Sequence, residues 1–241
     1  MQPARRLGRL ALTACRYGVG VTNLRWSTVL FDFDGTLANT IPLILASYRH
    51  TIATFGLAPA DDDTIRSWIG RTLPDMFTEL AGADAAPGLM AAYSAWQADH
   101  AEEYLEPYAG IDELVGELAA AGARMGIATS RRRDSAERLT RILGLHEHLP
   151  VLVAMEDTAA HKPAADPLLL AAERIGATPS EAVYVGDAVV DLAAARAAGM
   201  AAIGVTWGAG VPDALRAEPS VAVVETVPAL RPLLLRPVPG V

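Results

Sequence analysis

From Ser27 onward, short apolar runs alternate with stretches in which apolar residues recur every three or four positions. The runs at Thr28–Phe33, Arg124–Thr129, Val151–Ala154, Ala182–Val185, Ala201–Val205 and Val221–Val224 read as buried strands. Helical spacing covers Asp134–Leu143, Asp166–Ile175 and Asp187–Ala198 between them. Strand–helix alternation predicts an α/β fold, a parallel sheet with helices on both faces. Ligands of such sheets bind beyond the carboxyl ends of the strands. Asp32, Thr129 and Asp187 each fall at or just past such an end.

One interval breaks the alternation. Residues 39–107 contain no run that reads as a strand; their spacing predicts helices at Ile41–Phe55, Asp61–Ile69, Pro74–Leu80 and Leu89–Leu105. So long an interval exceeds a simple crossover and reads as an inserted helical module. Hinges near Ala38-Asn39 and Glu106-Pro107 would let it act as a lid. The expected organisation is a core of residues 27–38 and 108–241, a helical module of 39–107, and an extension of 1–26.

The extension carries five arginines and no acid. It resembles a secretion or transit signal only faintly, because the apolar Leu10-Ala11-Leu12 is short and Arg16 follows. A disordered or loosely attached segment is the expectation, with a translation start near Val21 as an alternative. Elsewhere, 51% hydrophobic and 20% charged residues indicate a chain that buries a sizeable core. The single cysteine, Cys15, cannot form an internal disulfide, so a reducing compartment, the cytoplasm, is expected. No apolar run reaches the ~18 residues that span a bilayer, so no membrane is expected. A net charge of −8 argues against general nucleic-acid binding.

The chemistry concentrates in four places. Asp32-Phe33-Asp34-Gly35-Thr36 follows the apolar run Val29–Phe31 and delivers two carboxylates onto a glycine turn. Like charges so close need a cation between them or a turn at the second. The arrangement suits a carboxylate nucleophile, a second carboxylate as acid and base, and a divalent metal near a phosphate. Lys162 is the only lysine in 241 residues. Either composition bias spared it, or one buried anionic site requires a compact ammonium in place of a planar guanidinium. Asp187 sits at a strand end after Gly186, and Asp191 follows one helical turn later. Taken alone, these two read equally as a helix cap and a solvated face.

Together, Asp32-x-Asp34-Gly35-Thr36, Thr129, Lys162-Pro163 and Gly186-Asp187-x-x-x-Asp191 resemble the haloacid dehalogenase superfamily of phosphohydrolases. The likeness covers residues 28–235 in order and spacing, and the helical insert looks like that superfamily's type-one cap. Ile69-Gly70-Arg71-Thr72-Leu73, Ala194-x-x-Ala197-Ala198-Gly199 and Thr206-Trp207-Gly208 look closest to the phosphoglycolate phosphatase group and related pyrophosphatases. The resemblance implies a Rossmann-like core and an aspartyl-phosphate mechanism. Asp32 would attack phosphorus and Asp34 would act as acid, then base. Thr129, Ser130 and backbone N–H groups around Phe33–Gly35 would hold the phosphoryl group. Lys162 would neutralise charge. Mg²⁺ would be bound by Asp32, Asp187 and the Asp34 carbonyl, with Asp191 steadying its waters. Arg71 would meet the leaving group from the cap, and Arg131 would add a cation beside Ser130.

The chain departs from the family pattern in places. Asn39 replaces a common aspartate, and Ala188 replaces a frequent serine or threonine that would start a helix. Ile44 stands where phosphomutases carry histidine, which lowers the mutase reading. The expected activity is a Mg²⁺-dependent phosphatase acting on small phosphorylated metabolites, 2-phosphoglycolate first. Alternatives are an inorganic pyrophosphatase, or a catalytically weak phosphate-binding or regulatory protein on the same fold. A monomer or a homodimer is expected.

Overall fold

Val29, Leu30 and Phe31 are fully buried at the centre of a six-stranded parallel sheet. The structure, a computed structural model, describes residues 22–237. Its strands in chain order are β1 (Thr22–Leu24), β2 (Thr28–Phe31), β3 (Ala38–Asn39), β4 (Glu106–Pro107), β5 (Arg124–Ala128), β6 (Val151–Val153), β7 (Ala182–Gly186), β8 (Ala201–Val205), β9 (Ala222–Val224) and β10 (Leu235–Pro237). The sheet runs β6-β5-β2-β7-β8-β9, every neighbour parallel. The chain leaves β2 for β5 on one side and later returns to β7 on the other. The crevice beyond the end of β2 is therefore the switch point where such sheets bind ligands.

Alternation along the strands divides the core between two faces. Val29, Phe31, Val183, Val185, Ile203 and Val205 point to one, against α5 (Ile111–Ala120), α6 (Arg133–Ile142) and α10 (Val227–Leu234). Leu30, Tyr184 and Ala202 point to the other, against α7 (Asp166–Arg174) and α8 (Val189–Ala197). The short α9 (Pro212–Ala217) adds Leu215 to this second layer.

Between β2 and β5 lie α1 (Ile41–Thr54), α2 (Asp62–Ser67), α3 (Leu73–Ala81) and α4 (Ala86–Tyr104). They have a core of their own, in which Tyr48 meets Trp68, Phe77 and Tyr93 at ring-centroid separations of 5.0–5.4 Å. Each such buried aromatic contributes about 1.5–3 kcal/mol by area removed from water. The helix starts follow from the sequence: Thr72 caps α3 and Asp61 caps α2 through side-chain oxygens.

Three expectations change. Residues 39–107 were read as strand-free, yet β3 pairs antiparallel with β4, a two-rung ribbon tying both ends of the helical insert together. Two residues carry too little periodicity to show in a sequence. Of the segment assigned to an extension, Thr22–Leu24 form β1 and pair with β10 near the other end of the chain, a contact no local pattern encodes; the rest of that segment, through residue 21, lies outside the described residues. The strand foreseen at Thr28–Phe33 ends at Phe31, because the chain turns after Asp32. No helix among the described residues is long and apolar enough to cross a membrane.

Candidate active site

The Asp32 N–H extends the β2–β7 ladder by donating to Val185 O at 2.9 Å, so its side chain is held at the strand end. The chain then reverses: the N–H groups of Thr36, Leu37 and Ala38 all donate to Phe33 O. Gly35 takes φ 74° and its N–H donates to Ala38 O at 3.0 Å. A Cβ at Gly35 would overlap the Asp187 carboxylate, so only glycine allows both the turn and that approach.

Asp32, Asp187 and Asp191 are all buried, and one carboxylate oxygen from each lies within 4.8 Å of the others. Lys162 joins this cluster beside Tyr184, a residue of the second sheet face. Its Nζ donates to Asp191 Oδ1 at 2.7 Å and to the Tyr184 hydroxyl at 3.1 Å, and stands 3.0 Å from Asp32 Oδ1. The last contact is an ion pair that holds Asp32 Oδ1 buried against the ammonium. Tyr184 in turn donates to Ala128 O at 2.7 Å, tying the lysine to β5. The peptide bond between Lys162 and Pro163 is cis.

Electrostatics follow from this crowding. Burial pushes the Asp32 carboxyl up to about 7, with Asp191 and Asp34 adding to the shift and Lys162 opposing it. Burial also raises Asp187 well above the usual carboxylate range, reinforced by Asp191 and Asp32 and opposed by the Ala209 N–H. Burial alone would lower Lys162, but Asp191 and Asp32 outweigh it and hold the ammonium well above its ordinary value.

Asp187 is fixed by the Ala209 N–H at 2.7 Å and by Thr36 Oγ1 at 3.4 Å. A Cβ at Gly208 would overlap its carboxylate, and one at Gly210 its carbonyl, so the loop after β8 wraps Asp187 through glycines. Asp191 uses both oxygens, one on Lys162 and one accepting the Ala188 N–H at 2.9 Å. That second bond starts α8 and offsets the missing hydroxyl at Ala188. The carboxylate expected to steady a metal's waters also holds the lysine and the helix.

Above the cluster a cavity of about 210 Å³ separates the sheet end from the helical insert. Asp32, Asp34, Thr129, Ser130 and Arg131 line its floor; Ile44, Tyr48, Trp68, Leu73 and Tyr93 line the wall given by the insert. Thr129 is buried, its Oγ1 accepting the Arg131 N–H at 3.1 Å.

Several expected roles need restating. The Phe33 ring is fully buried in the core, so any role of this residue toward substrate falls to its backbone N–H, as expected from the sequence. Gly35 was expected to offer a backbone donor to substrate; its N–H is spent on the turn, and its place is beside Asp187. Arg71 does line the cavity but is exposed and paired with Glu79 at 2.8 Å. Arg131 is more deeply engaged than a cation beside Ser130 would need: it grips the Asp34 carboxylate at 2.6–3.2 Å. Sequence reading missed Tyr184, which looks like one more apolar strand residue. It also missed Gln97, on the insert, which receives an Arg131 hydrogen bond at 2.7 Å. A glutamine between Trp96 and Ala98 on a helix carries no signal that it is buried.

Similarity to known proteins agrees with this geometry. Residues 29–205 match the model of the haloacid dehalogenase-like hydrolases. Pyrophosphatase PpaX of Bacillus cereus is 34% identical over 184 residues, 76% of this chain and 85% of that protein. A haloacid dehalogenase-like hydrolase from Bacteroides fragilis has a similar structure, TM-score 0.79 at 30% identity, covering 86% of this chain and all of that one. A Lactobacillus plantarum protein described as a phosphoglycolate phosphatase gives TM-score 0.76 at 29% identity, covering 85% of this chain and 97% of that one. By this match over residues 29–205 and these likenesses, the chain belongs to the haloacid dehalogenase-like hydrolases.

Proposed function

We propose that this hydrolase is a Mg²⁺-dependent phosphatase that forms an aspartyl-phosphate on Asp32. The observation that carries the reading is the buried cluster of Asp32, Asp187 and Asp191, with the Lys162 ammonium 3.0 Å from Asp32, at the ligand-binding end of the sheet. Two buried carboxylates, Asp32 and Asp187, the second cradled by glycines, fit a hard divalent cation. Asp32 and Asp187 would hold it, and when bound it would offset charge on the carboxylates and on the phosphoryl oxygens.

The chain's own groups account for the rest. Asp32 attacks phosphorus, and the leaving oxygen departs with a proton from Asp34. Water then attacks the acyl phosphate, giving its proton back to Asp34 and releasing phosphate and free Asp32. Lys162 neutralises the nucleophile and one phosphoryl oxygen, and Thr129 and Ser130 orient the phosphoryl group. The first substrate candidate is a small organic phosphate, 2-phosphoglycolate, supported by the description of the Lactobacillus relative. Pyrophosphate is the second reading, supported by the name of the Bacillus relative. Phosphate release should be measured over a panel of both and related esters, with Mg²⁺ and after chelation. Asp32→Asn should lose at least ~1,000-fold, as expected when one member of a catalytic unit is removed. A variant keeping a tenth of the rate would remove the covalent route.

A further inference from the structure

Arg131 is the cation that joins the two halves of the cavity. Its side chain is only 7% exposed. Nε donates to both Asp34 oxygens at 3.0 and 3.2 Å, and Nη2 donates to Oδ1 at 2.6 Å. Nη1 donates to Gln97 Oε1 on α4 at 2.7 Å and to Ser135 Oγ on α6 at 2.9 Å. Gln97 is itself fixed by donating to the Tyr93 hydroxyl at 2.9 Å. A guanidinium has five N–H groups. Four are engaged here, and the second on Nη2 has no partner among the described residues.

The other cavity cations are committed differently. Arg71 pairs with Glu79, Arg132 lies near Asp134 and Glu156, and Arg138 donates to the Ala98 carbonyl. Lys162 serves Asp32 and Asp191, on the side of the transferred group. Arg131 alone is bound to the carboxylate assigned to the leaving oxygen. A guanidinium in bidentate contact with Asp34 lies within about one further hydrogen-bond length of whatever that oxygen carries. An anionic oxygen two or three bonds from the scissile oxygen falls in its reach; a longer or neutral group does not use it.

We propose that Arg131 makes this site selective for phosphate compounds whose leaving group bears an anion adjacent to the scissile oxygen. The proposal rests on the phosphatase reading above and narrows its substrate class to adjacent carboxylates and phosphates, which 2-phosphoglycolate and pyrophosphate both carry. It also gives the guanidinium a reason to be held by α4, α6 and Asp34 at once: a fixed fork discriminates where a mobile one only attracts.

The test compares 2-phosphoglycolate with 2-hydroxyethyl phosphate. Both leave as primary alkoxides and differ in a carboxylate against a hydroxymethyl group. Wild type should prefer the former by at least ~20-fold in kcat/KM, the range expected for a charge-assisted hydrogen bond. Arg131→Gln should erase most of that preference, and Arg131→Lys should restore part of it. Equal losses on both esters in Arg131→Gln would reduce Arg131 to a support for Asp34 and overturn the proposal. A wild-type preference below threefold would overturn it without any variant. Phosphate release from neither ester nor from pyrophosphate would instead sink the phosphatase reading, and this selectivity with it.

Discussion

Replacing Lys162 with arginine keeps the charge and changes only shape, so it isolates what the site asks of this position. The ammonium meets Asp191 Oδ1 at 2.7 Å, Asp32 Oδ1 at 3.0 Å and the Tyr184 hydroxyl at 3.1 Å, with the side chain 2% exposed. These three partners surround a point, which three protons on one nitrogen can serve. A guanidinium spreads its donors over a plane and adds two heavy atoms to a filled space. Overpacking of this kind costs about 1–3 kcal/mol, which for a chain of this size lowers Tm by roughly 2–12 °C. The catalytic loss should be larger than the folding loss. Displacing the cation from between Asp32 and a phosphoryl oxygen should remove at least ~100-fold in kcat/KM, or about 2.7 kcal/mol of transition-state stabilisation. The assay is phosphate release at saturating Mg²⁺, with thermal unfolding of the same preparation. A folded Lys162→Arg protein within threefold of wild-type kcat/KM would show that the position needs only positive charge, and the argument from shape would fail.

Three further outcomes follow from the same cluster. In Gly208→Ala the new Cβ overlaps the Asp187 carboxylate, so the Mg²⁺ concentration for half-maximal activity should rise ~10- to 100-fold; a change under twofold would mean Asp187 does not bind the metal. Without metal, stability should fall as pH rises from about 5 to 7.5. Folded Asp32 titrates at about 7 against an ordinary 3.8, so the native state binds more protons across that window, and Asp187 shifts the same way. Lys162, raised above its ordinary value, loses its contribution only at far higher pH. Added Mg²⁺ should raise Tm more at pH 7.5 than at pH 5, and equal shifts at both pH values would contradict the buried-carboxylate account. Tyr184→Phe removes an acceptor from Lys162 and leaves Ala128 O without its donor; it should cost about 1–3 kcal/mol of stability, read from denaturant midpoints, and an unchanged midpoint would refute the coupling.

Much of this protein was legible along the chain. Val29–Phe31, Val183–Val185 and Ile203–Val205 announce strands buried on both faces, because a strand between two helical layers needs apolar residues at every position. Asp32, Asp34 and Asp187 were visible for the complementary reason: a carboxylate directly after such a run stands at the ligand-binding end of the sheet. The sole lysine stood out by composition, and the helical insert by the length of its strand-free interval. These are properties of short windows, where burial and period write themselves into residue type.

What the sequence could not show depends on which windows meet. Arg131 and Asp34 are 97 residues apart, and nothing near either predicts a bidentate pair. Gln97 becomes a ligand of Arg131 only because α4 lies over the end of β5. Tyr184 reads as a core residue until the fold sets its hydroxyl between Lys162 and Ala128 O. Asp191 could be a surface residue until α8 packs against β7 and turns it to the lysine. Short-range pattern determines which side chains are buried, since burial is paid residue by residue in transfer free energy. Strand order and helix packing alone decide which buried polar groups become partners, and here that choice fixes the orientation of Lys162, Asp34 and Arg131 around one cavity.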